Sequence, residues 1–251
     1  MSSRGSLVLS LRNAYEALAV SAPTVVDAAR GRLEAKHCDE RLERFASHVV
    51  RNAEILVTVH GRDALDADEK AAGKRRTFVV MSNHQSHYDI PVLYYVLGGN
   101  MRMVAKKELF SLPLFGRAIR DAGMIEVDRG NRERAIASLQ KAKEQLLAGT
   151  NIWIAPEGTR SPTGELGDFK KGGFVLAIDI GAPILPVTVN GTRGILPASA
   201  MASRRGVEVH VTLHPPVETR DFMANAESSE ERKTARGRLM AEVRRAISSA
   251  L

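Results

Sequence analysis

From Glu54 onward, seven short apolar runs alternate with segments of helical periodicity, and that alternation restricts the fold more than any other property of the chain. Residues 55–59, 77–82, 101–105, 124–127, 152–155, 184–189 and 207–213 read as strands. Residues 91–97, 113–122, 132–147, 173–180 and a stretch from about residue 227 read as helices. Strands interleaved with helices build an α/β sheet with helices on its faces. The polar stretch 63–76, with Gly73 at its centre, reads as a loop. The expected architecture is a mixed central sheet flanked by helices, with an N-terminal helical segment. Its expected boundaries are 1–53 for the helical segment and 54–251 for the α/β domain.

In the helical segment, Leu7, Leu11, Tyr15 and Leu18 share one face, with Arg12, Asn13 and Glu16 turned away from it. Pro23-Thr24 is expected to end that helix, and Thr24 to Asp27 has the capping-box pattern that starts another. Leu42, Phe45, Ala46 and Val49 form a third periodic set. Residues 24–53 are expected to pack on their own domain. The stripe within 6–20 is short and carries one basic residue, and it fits packing on the core and attachment to a membrane surface equally well.

Residues 83–89 read Asn-His-Gln-Ser-His-Tyr-Asp and follow an apolar strand. A histidine in a loop after a buried strand is suited to general-base chemistry, because imidazole takes and returns protons near neutral pH. A carboxylate nearby fixes its tautomer and stabilises the imidazolium as it forms. Positions five apart do not share one helical face. Pro91 resolves the geometry, since proline belongs in a first helical turn. The helix therefore starts near Asp89, with His84 in the loop before it. Capping, by Asp89 alone or by Ser86 and Asp89 together, is the plainer role for the carboxylate and is compatible with catalysis.

His84, His87 and Asp89 are also potential metal ligands, but zinc would need more. His210 and His214 do not supply them, since strand residues that far apart lie about 13 Å from each other at about 3.3 Å per residue. No metal is expected. His37, His48 and His60 read as surface or packing residues.

Three further segments end strands with charged groups: residues 123–129, closing on Asp128-Arg129; residues 155–161, containing Glu157 and Arg160; and the proline-bounded strand 182–187. In α/β sheets ligands gather beyond the carboxyl ends of strands. Cations converging there beside a base point to a phosphate held next to a group to be deprotonated, and the planar fork of arginine suits phosphate oxygens. Surface ion pairing of Arg129 with Asp128, and of Arg160 with Glu157, is the plainer reading.

Charge agrees with an anionic partner: 36 basic against 29 acidic residues give +7. Nucleic acid is disfavoured because aromatics make up only 5% of the chain and no stacking motif is present. The sequence has neither the Gly-x-Ser-x-Gly elbow of a serine hydrolase nor a Gly-x-x-x-x-Gly-Lys-Ser/Thr nucleotide loop. The single cysteine, Cys38, excludes an internal disulfide and reads as structural. No run approaches the length of about eighteen apolar residues that spans a bilayer, and no signal peptide is expected.

In their order and wording, four motifs resemble those of the glycerolipid acyltransferase family, in particular bacterial 1-acylglycerol-3-phosphate acyltransferases. They are NHQSHYD (83–89), GMIEVDR (123–129), PEGTRS (156–161) and APILPV (182–187), and the resemblance covers about residues 54–215. It extends to Val104–Leu109 and Phe169–Gly172, and departs at Glu126 and Ala155, where the family favours apolar or aromatic residues and phenylalanine. The resemblance implies transfer of an acyl group from acyl-CoA or acyl carrier protein to the free hydroxyl of lysophosphatidate, with no covalent acyl-enzyme and no cofactor. It implies His84 as base, Asp89 as its orienting group, and Arg160, Arg129 and Lys106 on the phosphate. Glu157, Gly158 and Thr159 would line the glycerol. Another lyso-lipid or hydroxyl is the alternative acceptor. Without a spanning helix, such an enzyme is expected to work as a peripheral protein on the cytoplasmic face of the membrane.

Overall fold

A computed structural model describes residues 5–71, 73, 75–127 and 132–251. In chain order the elements begin α1 (Leu7–Ala29), α2 (Ala35–Asn52), β1 (Leu56–His60), α3 (Arg62–Ala71), β2 (Val79–Ser82), α4 (Asp89–Leu97), β3 (Met101–Lys106), α5 (Lys107–Phe110) and α6 (Phe115–Asp121). They continue with β4 (Ile125–Val127), α7 (Arg132–Leu147), β5 (Asn151–Ile154), α8 (Gly172–Ile180), β6 (Ile184–Asn190), α9 (Thr192–Ile195), β7 (Glu208–Leu213), α10 (Thr219–Met223) and α11 (Ser229–Ser248). All seven expected strands are present, displaced by at most two residues at either end. Backbone packing divides the chain into two units: Met1–Val57, Gln85–Ser138 and Gly191–Val209 form the first; Thr58–His84, Leu139–Asn190 and His210–Leu251 form the second.

In the second unit, the strand order is β1-β7-β6-β2-β5. Strand β2 pairs in parallel with β5 and with β6, Val80 lying opposite Trp153 on one side and Leu185 on the other. β6 and β7 are antiparallel, so the sheet is mixed. Every residue of β2 is buried, as expected of a parallel strand covered on both faces. In β7 the buried Val209, Val211 and Leu213 alternate with exposed Glu208 and His210. Helix α11 begins at a capping box of Ser228 and Glu231 and packs against β6 through Ala235, Leu239, Val243 and Ile247, which repeat every fourth residue.

Residues 62–71 are helical, which corrects the expected loop. Alanine, glutamate and lysine favour the helix, Asp63 and Lys70 complement its dipole, and Leu65 supplies a buried anchor. Gly73 lies just beyond its end. The polarity that marked the segment as a loop is that of a surface helix.

In the first unit, α1 packs on α2 and α6, and α2 on α4, while β3 and β4 form a parallel pair in which Lys106 lies opposite Val127. The break expected at Pro23 is absent, and α1 continues to Ala29. Ser21 donates to the Ala17 carbonyl at 2.7 Å and Thr24 to that of Val20 at 2.8 Å. Thr24 also accepts from Arg41, whose guanidinium pairs with Asp27, so this hydroxyl works inside the helix and caps nothing. Tertiary contact with α2 outweighs the local proline signal. A polar chain also links the helices: Glu16 accepts from Asn52, which donates to Asn13, whose amide donates to the Tyr88 hydroxyl at 2.8 Å. Cys38 is buried, and burial pushes its thiol pKa up, consistent with a structural role.

Acid stability follows from the second unit's core. Thr188 donates its hydroxyl to the Ile247 carbonyl at 2.7 Å, so it must accept from His214 Nε2–H at 2.8 Å. Burial lowers the His214 pKa below its ordinary 6.5. The unfolded chain therefore takes up this proton first as pH falls, and the contribution of His214, complete above the ordinary value, is lost below it. The urea midpoint should fall between about pH 7 and about pH 5, and fall less in His214→Gln. An unchanged pH dependence in the variant contradicts the assignment.

Candidate active site

The strand–helix transition after β2 places His84 one residue beyond a buried asparagine. Asn83 donates to the Val189 carbonyl and accepts from the Val189 N–H, both at 2.8 Å, which ties the end of β2 to β6. His84 follows with both of its backbone groups engaged. Its N–H donates to Glu157 Oε1 at 2.9 Å, and its C=O accepts from the Ser161 N–H at 2.7 Å. The imidazole is half-buried and stands edge-on to Trp153, with ring centroids 5.7 Å apart at 87°. Trp153 is fixed in turn by donating its indole N–H to Ser82 at 2.9 Å. The result is a half-buried histidine on a pinned backbone.

Glu157 is buried, with 6% of its surface exposed. Its other oxygen, Oε2, accepts from the Gly167 N–H at 2.8 Å. The loop between β5 and α8 closes on itself where the Lys170 N–H donates to the Pro156 carbonyl at 2.7 Å, the form of a compact surface loop with adjoining ends. Gly158 has φ +76°, a conformation glycine adopts without strain. Thr159 is exposed and Arg160 half-buried. Among the described residues Arg160 has no hydrogen-bond or ion-pair partner, so its pairing with Glu157, the plainer sequence reading, is not found.

In the first unit, Asp89 opens α4 and is fully buried. Its Oδ2 accepts from the N–H groups of Gln85 and Ser86, at 2.7 and 2.9 Å, and its Oδ1 from the Thr192 hydroxyl at 2.5 Å. The helix cap itself is Tyr88, whose side chain makes no capping bond. The carboxylate thus reaches back onto the loop that leads from His84. Lys106 lies exposed at the carboxyl end of β3, with no partner among the described residues. Arg129 and Asp128 fall outside the described residues. Among the described residues no group of three or more His, Cys, Asp or Glu side chains could hold a metal ion. His210 stacks on His60 instead, with centroids 5.8 Å apart.

His84 and Asp89, the base and acid expected from segment 83–89, therefore have different local support. His84 is held by Glu157, Ser161 and Trp153, and Asp89 by two loop amides and Thr192. Sequence reasoning named neither Thr192 nor Trp153 as part of the site, and it placed Asn83 and Ser161 inside the motifs without giving either a role. Thr192 and Ser161 lie just past strands β6 and β5, so the strand-end rule pointed to their neighbourhoods without selecting the residues. Nothing in the sequence marks Trp153, an inward-facing strand residue, as the neighbour of a histidine.

Residues 56–190 match the model of the Acyltransferase family. A chloroplastic 1-acyl-sn-glycerol-3-phosphate acyltransferase of Arabidopsis thaliana is 32% identical over 161 residues, 64% of this chain and 43% of that protein. The 1-acyl-sn-glycerol-3-phosphate acyltransferase of Saccharomyces cerevisiae is 33% identical over 165 residues, 63% of this chain and 54% of the relative. The chain spans about half the length of the curated relatives it matches. The crystal structure of the 1-acyl-sn-glycerophosphate acyltransferase PlsC from Thermotoga maritima superposes with a TM-score of 0.69 at 28% identity, covering 96% of this chain and 95% of that one. With more than half of its residues matched by the family model and the fold shared from end to end, the chain belongs to the Acyltransferase family.

Proposed function

We propose that this protein transfers a fatty acyl group from an acyl thioester to the free hydroxyl of lysophosphatidate, giving phosphatidate for phospholipid synthesis. One observation carries the reading: His84 presents a half-buried imidazole beyond the carboxyl end of β2, on a backbone held from both sides. His84 takes the hydroxyl proton as the oxygen attacks the thioester carbonyl. The carbon–sulfur bond then breaks, and the leaving thiolate recovers the proton from the imidazolium. Asp89, five residues on, orients the ring and balances its charge. The acyl group passes directly between substrates, so no acyl-enzyme forms and no cofactor is needed. Acyl-CoA and acyl carrier protein both present the required thioester. The relatives' names support the acceptor.

Arg160 holds the acceptor phosphate, aided by Arg129 and Lys106, while Gly158 and Thr159 let the loop backbone approach the glycerol. The carboxylate of Glu157 is the acceptor for a glycerol hydroxyl, using the lone pairs that its two backbone N–H bonds leave. With a labelled acyl thioester, the purified chain should acylate lysophosphatidate in preference to a lyso-lipid without a phosphate monoester. Arg160→Ala should raise the apparent KM for lysophosphatidate while Arg160→Lys restores it only in part. Equal losses with the phosphate-free acceptor would make Arg160 structural, and acylation of that acceptor alone would move the reaction to another lyso-lipid.

The protein works as a peripheral enzyme on the cytoplasmic face of the membrane. Among the described residues no helix is long and apolar enough to cross a bilayer. Moving a sixteen-carbon chain from bilayer to water costs on the order of 10 kcal/mol, so the enzyme must meet its acceptor at the surface. Leu7, Leu11, Tyr15 and Leu18 leave 58%, 70%, 66% and 44% of their surfaces exposed, and this favours lipid contact over packing on the core. The double substitution Leu7→Glu and Leu11→Glu should weaken co-sedimentation with anionic vesicles and lower activity on bilayer-embedded acceptor. Activity on a short-chain soluble acceptor and the thermal midpoint should hold. A fall in both activities together with the midpoint would assign the stripe to the core.

A further inference from the structure

The loop carrying Glu157 has a second anchor in the last helix. Arg244 of α11 donates to the Gly167 carbonyl at 2.5 Å and to the Leu166 carbonyl at 2.8 Å. Its guanidinium carbon lies 5.4 Å from the centre of the Phe169 ring, which stacks on the buried Phe174 with centroids 6.1 Å apart. Gly167 is thereby held at both ends of its residue, its carbonyl by Arg244 and its N–H by Glu157. A side chain at Gly167 would bring a Cβ within 3.1 Å of Glu157 Oε2. The path from Arg244 to His84 thus needs only two intermediates, Gly167 and Glu157, and each link is a direct hydrogen bond.

We propose that Arg244 is a positioning residue for His84: it fixes Gly167, which fixes the Glu157 carboxylate, which fixes the His84 backbone. The proposal rests on the reading of His84 as the general base. The loop from Ala155 to Lys171 contains no helix or strand, and much of it is exposed, so packing alone does not set its shape. Helix α11, by contrast, is seated by Val243 and Ile247, both fully buried, on either side of Arg244. A fork on a rigid helix can therefore impose its geometry on the loop. Arginine is suited to this, because its planar donors reach two carbonyls at once while its face lies on an aromatic ring; lysine offers a point charge and no fork. Displacing a catalytic group by about 1 Å can cost about 10²-fold in rate, so a remote tether of this kind is felt at the chemical step.

The test compares full-length wild type with Arg244→Ala and Arg244→Lys, using lysophosphatidate and an acyl thioester, with the thermal midpoint and amide hydrogen exchange measured on the same samples. In Arg244→Ala, kcat should fall about 10- to 10²-fold. KM for the acyl thioester should stay close to wild type, KM for lysophosphatidate should rise because the same loop carries Glu157 and Arg160, and the shape of the pH profile should be kept, since the base itself is intact. Arg244→Lys should fall between the two. Exchange at the His84 and Gly167 amides should accelerate in both variants. Wild-type kcat in folded Arg244→Ala overturns the proposal, even if the thermal midpoint drops, because the residue would then only stabilise the fold. If Arg244→Ala does not fold, wild-type kcat in Arg244→Lys overturns it equally. A wild-type chain that acylates no lyso-lipid defeats the proposed function instead, and unchanged exchange at His84 and Gly167 then overturns the tether on its own.

Discussion

The Glu157 carboxylate, buried and holding one backbone N–H on each oxygen, is the interaction on which the candidate site depends. One N–H belongs to the histidine at the end of β2, the other to the far side of the loop that follows β5. Leaving a buried acceptor without its partners costs about 1–3 kcal/mol, more when it is charged, as Glu157 is. That penalty gives the loop one strongly preferred conformation despite its lack of regular structure. The same conformation brings the Ser161 N–H to the His84 carbonyl and leaves Arg160 without a protein partner among the described residues. The family's Pro-Glu-Gly-Thr-Arg sequence is thus intelligible in physical terms. The acid organises the backbone, the glycine takes a positive φ, and the arginine remains available to an anion.

The strands were legible because their signal is local and strong. Short apolar runs alternating with helical segments marked all seven, and the strand-end rule then pointed to His84, Glu157 and Arg160 without any distance information. What escaped was decided by tertiary contact. Pro23 reads as a break in any local scheme, yet α2 lies along α1 and the helix continues through the proline. Residues 62–71 are polar enough to be a loop, and one buried leucine with good helix formers makes them a helix. The support of the site was also invisible, because Thr192 lies 103 positions from Asp89 and Glu157 lies 73 from His84. Such partners have no periodicity and no spacing rule.

The proposed lipid acceptor imposes a second constraint that the chemistry alone does not. A base and an anion site suffice for acyl transfer in water, but the acceptor's chain stays in the bilayer. The exposed leucines and tyrosine of α1 form a stripe on one helix, and the opposite side of that helix carries the Asn13 and Glu16 contacts to Tyr88 and Asn52. Tyr88 belongs to the segment 83–89 that also carries His84 and Asp89. Helix α1 thus has an exposed apolar face and a polar face bonded to the segment that holds Asp89.

The central claim is that His84 removes the acceptor proton. The most direct measurement is the turnover number of purified His84→Ala, with its thermal midpoint taken beside that of wild type. Because the imidazole is half-buried and its backbone bonds remain in the variant, the midpoint should change little. Turnover should fall by about 10²–10⁴-fold or more, the loss expected for a positioned base. Turnover near the wild-type value in the folded variant would contradict the account.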